Sequence, residues 1–520
     1  MPDTVTARRT GEVPRPVPSA LSAARRRADL DRLGNGWRPD VLVIGAGFTG
    51  CGVALDAVTR GLSVAVVDVG DLGSGTSGWS SKLVHGGLRY LASGDVRLAW
   101  ESAVERGVLM ERTAPHLTRA LPFLTPIGVG ASVAMTALVG LGYLAGDVLR
   151  LTAGTAGRTL PSPRWVSSRV ARRLAPTVRT AGAAGALVNT DGQVVDDVRL
   201  VVALARTAAA FGARVLPYVG AAAVERTRAE LRDEMTGETF TATAGRVVVA
   251  AGVWSDTLDD RVALRPSRGA HLVIDGAALG HPTAGITAPV PGHPTRFVFL
   301  LPQPDGRVYL GLTDEEAGGP IPREASVTPE EQAFLLDVAG GVLTRPLAPD
   351  AVLGGFVGYR PLVQPIDASG ARGSTPDLSR RHLVVDDGEG PITVVGGKLT
   401  TYRAMAAQTV DRLTDRPGRT RSQPLVGALP RARLAAWPED PWLVARYGAE
   451  ASVLSSMMRD EPSLAEPVVP GLPYRRAEFR FAVDREGALT VDDLVDRRTR
   501  LGLVRADRVL AAPVAASFVP

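Results

Sequence analysis

Residues 41–68, VLVIGAGFTGCGVALDAVTRGLSVAVVD, constrain the fold more than any other stretch of the chain. They read as a buried strand, a glycine turn, a helix and a second strand that ends on an acid. Gly45, Gly47 and Gly50 form G-x-G-x-x-G directly after the apolar run Val41-Leu42-Val43-Ile44. In that pattern the first glycine allows the tight turn and the second lets a pyrophosphate approach the backbone. The third lets the helix pack close to the sheet. The helix beginning near Phe48 and Thr49 turns unpaired N–H groups toward the phosphates. Asp68, 18 residues past Gly50, stands where a carboxylate takes both hydroxyls of an adenosine ribose. With both strands, the helix and the acid in register, the stretch reads as a dinucleotide site rather than a structural turn.

The 520 residues, 45% hydrophobic and 22% charged, are enough for two or three domains. The single cysteine, Cys51, excludes an internal disulfide framework and suits a reducing compartment. A net charge of +5 is mild for this length, and basic residues such as Arg8-Arg9 and Arg25-Arg26-Arg27 do not interleave with aromatics. Nucleic acid is therefore not an expected partner, whereas attraction to anionic lipid headgroups stays open. Arg8-Arg9 is not followed by an apolar run before Pro14 and Pro16, so no export signal is read there. From Ala120 to Gly146 no residue is charged. Length nominates a membrane span, but Pro122, Pro126 and several glycines favour a buried or interfacial helix pair. Shallow insertion into one leaflet also fits such a segment. His116, His281, His293 and His382 show no metal-ligand spacing, and no metal is expected.

Further along, helices are expected over Asp95 to Thr113 and Val195 to Phe211, and strands over Arg214 to Val219 and Arg246 to Gly252. Ala222 to Thr243 reads as a β-excursion, and Arg265 to Thr313 as strand-rich. Residues 391–406 repeat the opening pattern: a strand, Gly396-Gly397, then a helix. The first and last glycine turns lie about 350 residues apart. That separation suggests one nucleotide domain assembled from distant segments, the construction used by flavoproteins that bind extended FAD.

SGTS followed by SSKLVHGGLRYL, RGAHLVI, GYRPL, GGKLTTYR, PGLPYRRAE and DRRTRL together resemble the FAD-dependent (respiratory) glycerol-3-phosphate dehydrogenase family, in its actinobacterial form. The resemblance spans nearly the whole chain from about Leu21. It implies an α/β fold: a glutathione-reductase-like FAD-binding Rossmann domain, an inserted antiparallel β substrate domain and a helical C-terminal domain. On that plan residues 1–37 are a basic arm and short helix, and 38–120, 189–262 and 356–422 are the three parts of the FAD-binding domain. Residues 121–188 are an apolar helical insertion open to membrane contact, 263–355 the substrate-binding β domain, and 423–520 the helical C-terminal domain. The implied reaction oxidises sn-glycerol 3-phosphate to dihydroxyacetone phosphate by hydride transfer to FAD N5. Electrons would then pass to membrane quinone, with the enzyme cytoplasmic and peripheral on the inner face of the membrane, and a homodimer compatible with it. Oxygen as acceptor, a related amine or amino-acid oxidase, and an inactive flavin-binding protein are the alternatives.

Removing hydride from a secondary alcohol requires the hydroxyl proton to leave, so the site needs a base or a cationic clamp for the developing alkoxide, plus cations for phosphate. At positions matching the family's motifs stand His271, Arg360, Lys398 and Arg89 as catalytic candidates. Arg89, Tyr90, His271, Arg360, Arg380 and Lys398 are the substrate-binding candidates. His271 is assigned as base or alkoxide partner, Arg360 and Lys398 to the phosphate, and Arg89 with Tyr90 to closing the pocket. An arginine-dominated pocket that stabilises the alkoxide itself, with His271 only orienting substrate, stays open. FAD contacts are assigned to Ile44, Gly45, Gly47, Phe48, Thr49, Gly50, Asp68, Thr76, Ser77, Ser81, Lys82, His85, Gly86, Gly87, Gly252, Gly397, Leu399 and Thr400. Four places depart from the family pattern, the first being Asp68 where glutamate is more usual as the adenosine-ribose acid. Gly78-Trp79 stands where serine and arginine are common, Ala251-Gly252-Val253-Trp254 replaces a frequent threonine-glycine-proline-tryptophan, and Arg485-Glu486-Gly487 replaces histidine-glutamate-methionine.

Overall fold

The computed structural model describes residues 18–87, 95–128, 133–180, 184–293, 296–364 and 382–519. Arg89, Tyr90 and Arg380 lie outside the described residues. The apolar runs of the opening motif form the centre of a six-stranded sheet. Its order is His382–Val385, Ile392–Gly396, Arg246–Val249, Val41–Ile44, Val64–Asp68 and Arg214–Pro217. All neighbours are parallel except His382–Val385, which runs antiparallel at one edge. The sheet therefore draws its strands from three widely separated parts of the chain, as the distance between the two glycine turns required. Strands buried on both faces by crossover helices read as continuous apolar runs. Here the Phe48–Thr59 helix packs against Asp197–Ala210 and Tyr402–Val410. Val219–Val224, Arg228–Asp233 and Thr239–Thr243 form the three-stranded antiparallel excursion.

A larger, ten-stranded sheet is built around Ser267–Asp275, which pairs antiparallel with both Arg307–Gly311 and Val352–Arg360. This sheet reaches beyond residues 263–355. Thr118–Pro126 pairs with Ala186–Val194 over nine positions, and Leu83–Val84 adds to its far side. The expected helix pair at 120–146 is thus corrected to the end of a strand followed by one helix, Val133–Thr152. An uncharged apolar run in a strand interior carries no periodicity that distinguishes it from a buried helix. Among the described residues no helix is long and apolar enough to cross a membrane.

The basic N-terminal helix Ala23–Gly34 is capped by Ser22 and directs Arg25 and Arg26 at the protein, whereas Arg27 and Arg32 are exposed. Arg26 pairs with Asp233 at 2.6 Å and donates to the Pro217 carbonyl, and Arg25 reaches the Ala209 carbonyl. The C-terminal helices have their own apolar centre around Phe479, Ala482, Leu494 and Leu501. They dock through buried ion pairs. Arg199 makes a two-pronged contact with Glu486 (3.1 and 2.5 Å), and Arg206 does the same with Glu450. Burial alone would raise the Glu486 carboxyl, but Arg199 overrides it and holds the group below its ordinary range.

Candidate active site

The cofactor crevice opens at the carboxyl ends of the parallel strands, where ligands bind in open α/β sheets. Gly45, at φ +108°, turns the chain sharply after Ile44, and a side chain there would strike the Ala250 carbonyl. At Gly50 a Cβ would overlap the Gly45 carbonyl oxygen, so the helix starts directly on the turn. A Cβ at Gly47 would meet Ser77 Oγ at 2.7 Å, and the Phe48 N–H donates to that same oxygen at 3.0 Å. Asp68 Oδ2 accepts from the Ala46 N–H (2.6 Å) and Oδ1 from the Gly70 N–H (2.9 Å). Burial pushes its carboxyl up to about 6, against the pull of these two N–H donors. A Cβ at Gly252 would meet nothing within 4 Å, which leaves open space beside the turn. Gly396 and Gly397, at φ +80° and +70°, turn the chain a second time before Lys398 and the short Leu399–Thr401 turn that leads into Tyr402–Val410. A cradle of backbone, small residues and one carboxylate suits the pyrophosphate and ribose of FAD.

Several assigned contacts have protein partners of their own. Thr76 Oγ1 donates to the Tyr359 carbonyl at 2.7 Å, tying the loop to the larger sheet. The Lys82 ammonium is buried on Asp197 Oδ1 at 2.7 Å, and Ser80 Oγ donates to Oδ2 at 2.8 Å. Lys82 therefore has only its backbone to offer a cofactor. Burial drives its ammonium below the ordinary lysine range, against the attraction of Asp197. Gly86 packs on Arg106, which pairs with Asp191 at 2.6 Å, and the Gly86 N–H donates to the same carboxylate at 3.3 Å. His85 is half-buried beside it.

His271 and Arg360 come from neighbouring strands in the register Ser267↔Arg360 and His271↔Phe356. Alternation places Ser267, Gly269 and His271 on one face. Because Gly269 has no side chain, the Arg360 guanidinium lies along that face toward His271, and a Cβ at Gly269 would stand 2.5 Å from Nη2. Arg360 also donates to Ser267 Oγ at 2.8 Å and pairs with Asp314 at 3.1 Å. The His271 ring stacks on Phe356 (centroids 4.6 Å apart, planes 7° apart) and lies over Gly311. Its Nε2 is 2.8 Å from Ser81 Oγ, joining the larger sheet to the loop beside the cofactor crevice. Burial first, then Arg360 and Lys82, push the imidazole down to about 3, so it is neutral throughout the physiological range.

Sequence reasoning did not find the seat of this loop. Asp71 takes Arg497 at 2.9 Å and Arg498 at 2.5 and 2.9 Å, and Arg500 donates to the Gly78 carbonyl. Arg500 also stands 5.0 Å over the Trp79 ring, which lies 6.1 Å from Phe356. The C-terminal arginines thus clamp the loop that carries Thr76 to Lys82, and the unusual Trp79 is the surface they press on. The DRRTRL run was visible, but nothing local in the sequence joins it to Asp71.

His116 is buried where the C-terminal helices dock, and burial together with Arg199 pushes it down to about 3 as well. Unfolded, both histidines take up protons near about 6.5. The unfolded chain therefore binds more protons than the folded one between about 3 and 6.5, and stability rises with pH across that window. Asp68 works in the opposite sense between its ordinary value and about 6, one group against two. The expected outcome is a thermal midpoint that falls as pH drops from about 7 to about 5. His116→Asn should fall less, as followed by circular dichroism.

Comparison with known proteins places this geometry in context. Residues 40–403 match the model of the FAD dependent oxidoreductases, and residues 400–518 match the C-terminal domain of alpha-glycerophosphate oxidase. The chain is 50% identical to glycerol-3-phosphate dehydrogenase 1 of Mycobacterium tuberculosis, over 97% of this chain and 99% of that protein. It is 32% identical to glycerol-3-phosphate dehydrogenase 2 of the same organism, over 93% and 84%. The glycerol-3-phosphate dehydrogenase from Bacillus halodurans complexed with FAD superposes with a TM-score of 0.71 at 25% identity, covering 95% of this chain and 92% of that one.

Proposed function

The chain belongs to the family of FAD-dependent oxidoreductases that includes the glycerol-3-phosphate dehydrogenases, and from that membership we propose that it oxidises sn-glycerol 3-phosphate to dihydroxyacetone phosphate and delivers the electrons to a membrane quinone. The observation that carries the reading is the union of two elements. His271 and Arg360 share one face of the larger sheet, and His271 is hydrogen-bonded to Ser81 on the loop beside the cofactor crevice.

FAD would be held by the Gly45–Gly50 turn, Asp68, Thr76–Ser77 and the Gly397–Thr400 turn, and when bound would supply a two-electron acceptor for the hydride of the substrate's C2. Arg360 offers a planar fork suited to phosphate, and Lys398 a point charge at the start of a helical turn. A lysine there opposes the helix dipole unless an anion sits in front of it, which is the role assigned to it. His271 accepts the hydroxyl proton. Alone it is a weak base, because burial and Arg360 favour its neutral form. A substrate phosphate bound at Arg360 would offset that cation and make the ring more basic, although burial, the larger cause, still favours the neutral form. Arg89, Tyr90 and Arg380 complete the proposed site by their place in the sequence pattern.

The quinone assignment is tested by comparing anaerobic turnover on a water-soluble quinone analogue with oxygen uptake at the same substrate concentration. Rapid quinone reduction with little oxygen uptake is expected. Hydrogen peroxide formed at the rate of substrate oxidation would make the protein an oxidase instead.

A further inference from the structure

His271, the proposed proton acceptor, is held by two neighbours, and both lead to Arg500 in the C-terminal domain. The first is Phe356, whose ring stacks on the imidazole. Phe356 also meets Trp79 at 6.1 Å and Tyr309 at 5.3 Å. Trp79 lies across the Val352–Arg360 strand, where a Cβ at Gly358 would strike its carbonyl oxygen, and the Arg500 guanidinium lies 5.0 Å over its ring. The second neighbour is Ser81, with Oγ 2.8 Å from His271 Nε2. Asp197 grips the residues on either side of it. Its Oδ2 accepts from the Ser80 N–H (3.1 Å) and hydroxyl (2.8 Å), and its Oδ1 takes the Lys82 ammonium (2.7 Å). Lys82 stands at φ +58°, a left-handed conformation that persists only where its surroundings hold it. Arg500 Nη2 completes the grip, 3.9 Å from Asp197 Oδ1 and donating to the Gly78 carbonyl.

Arg500 is only 2% exposed. A buried guanidinium is costly unless its charge and its N–H groups are met. Its own domain offers the Asp496 carbonyl at 3.2 Å, and the remaining contacts come from the loop beside the cofactor crevice and from Asp197. The chain that follows stays on the strand that carries Phe356. Val504 pairs with Gly354, and Leu503 and Val504 share an apolar cluster with Phe356, Tyr309 and Trp79. Docking of the two domains does not account for this placement, since Arg199–Glu486 and Arg498–Asp71 already join them elsewhere. We propose that Arg500 is a positioning residue for the reaction: it fixes Phe356 through Trp79 and Ser81 through Asp197, and so sets where the His271 ring stands for the substrate hydroxyl. The proposal rests on the reading of His271 as proton acceptor, and it gives the C-terminal domain a share in that step.

The test compares Arg500→Gln and Trp79→Leu with the parent, each full length and FAD-loaded, by stopped-flow reduction with sn-glycerol 3-phosphate. The limiting rate of flavin reduction should fall about tenfold to a hundredfold, the cost of a misplaced reacting group. The substrate concentration at half-maximal rate should stay within about twofold of the parent. In a His271→Ala background each substitution should cost less than about twofold, because residues that act as one unit are not additive. An unchanged limiting rate, an equal loss in both backgrounds, or a loss seen only as weaker substrate binding would overturn the proposal. Trp79→Leu keeps every polar contact of Arg500, so it decides the matter if Arg500→Gln fails to retain flavin. A substrate-free readout comes from histidine-selective ¹⁵N labelling, with the His271 ring signals identified by their absence in His271→Ala. Those signals should shift in both variants, and signals that stay in place would overturn the proposal whatever the substrate. A parent flavin that sn-glycerol 3-phosphate leaves oxidised, with ring signals that do shift, would overturn the assigned reaction and keep the coupling.

Discussion

Gly50→Ala is expected to yield a protein purified almost free of flavin. An alanine Cβ at this position would overlap the carbonyl oxygen of Gly45 and stand 2.9 Å from its carbonyl carbon, with Val43 Cγ1 at 3.3 Å behind. None of these neighbours is the free end of a flexible side chain. Two belong to the backbone of the cofactor turn, and the third is packed in the sheet core. Either the helix must lift away from the turn or the Gly45 peptide must rotate. Both movements displace the N–H groups that face the pyrophosphate, and the helix is also packed between two others and has no room to shift. Overpacking of this kind costs on the order of 3 kcal/mol, in addition to the lost cofactor contacts. The flavin-to-protein absorbance ratio and the urea midpoint measure the two effects. A variant with the parent's flavin content would mean that the turn does not hold the pyrophosphate.

The second large effect is expected at His271. On the proposed mechanism, His271→Ala removes the proton acceptor and leaves the alkoxide to the cations alone. Turnover should fall by about 10²–10⁴, the range typical of a positioned general base, while KM changes much less. Lys398→Ala should show the opposite split, with a large rise in KM, because its assigned partner is the phosphate in ground state and transition state alike. The pH profile adds a readout that loss of packing would not produce. The free imidazole is neutral down to about 3, so kcat/KM of the parent should show no acid limb from this group near about 6.5. A fall in turnover of less than about tenfold in His271→Ala would move the chemistry to the arginines and leave the ring a packing role against Phe356.

The parts of this molecule that the sequence made legible are those in which neighbouring residues carry the signal. Gly45, Gly47, Gly50 and Asp68 lie within one strand–turn–helix–strand unit, so their spacing alone fixed the cofactor turn. The divided sheet followed from its second glycine turn, at Gly396-Gly397, standing so far along the chain. The stretch at 120–126 was misread because Leu121, Phe123 and Leu124 sit in a strand covered on both sides, where alternation vanishes. Arg498 and Asp71 are 427 positions apart, Ser81 and His271 190, and Lys82 and Asp197 115. Each pair exists only because the fold closes, and each partner alone looks like an ordinary polar residue. Phe356, Gly269 and Gly311, which set the position of the His271 ring and of Arg360, carry no chemistry that a sequence pattern would select.

The most direct measurement is anaerobic titration of the purified flavoprotein with sn-glycerol 3-phosphate, followed in the visible flavin band. Bleaching of the band, with dihydroxyacetone phosphate formed in equal amount to the flavin reduced, is the predicted result. A flavin that dithionite bleaches and sn-glycerol 3-phosphate leaves oxidised would contradict the proposed function.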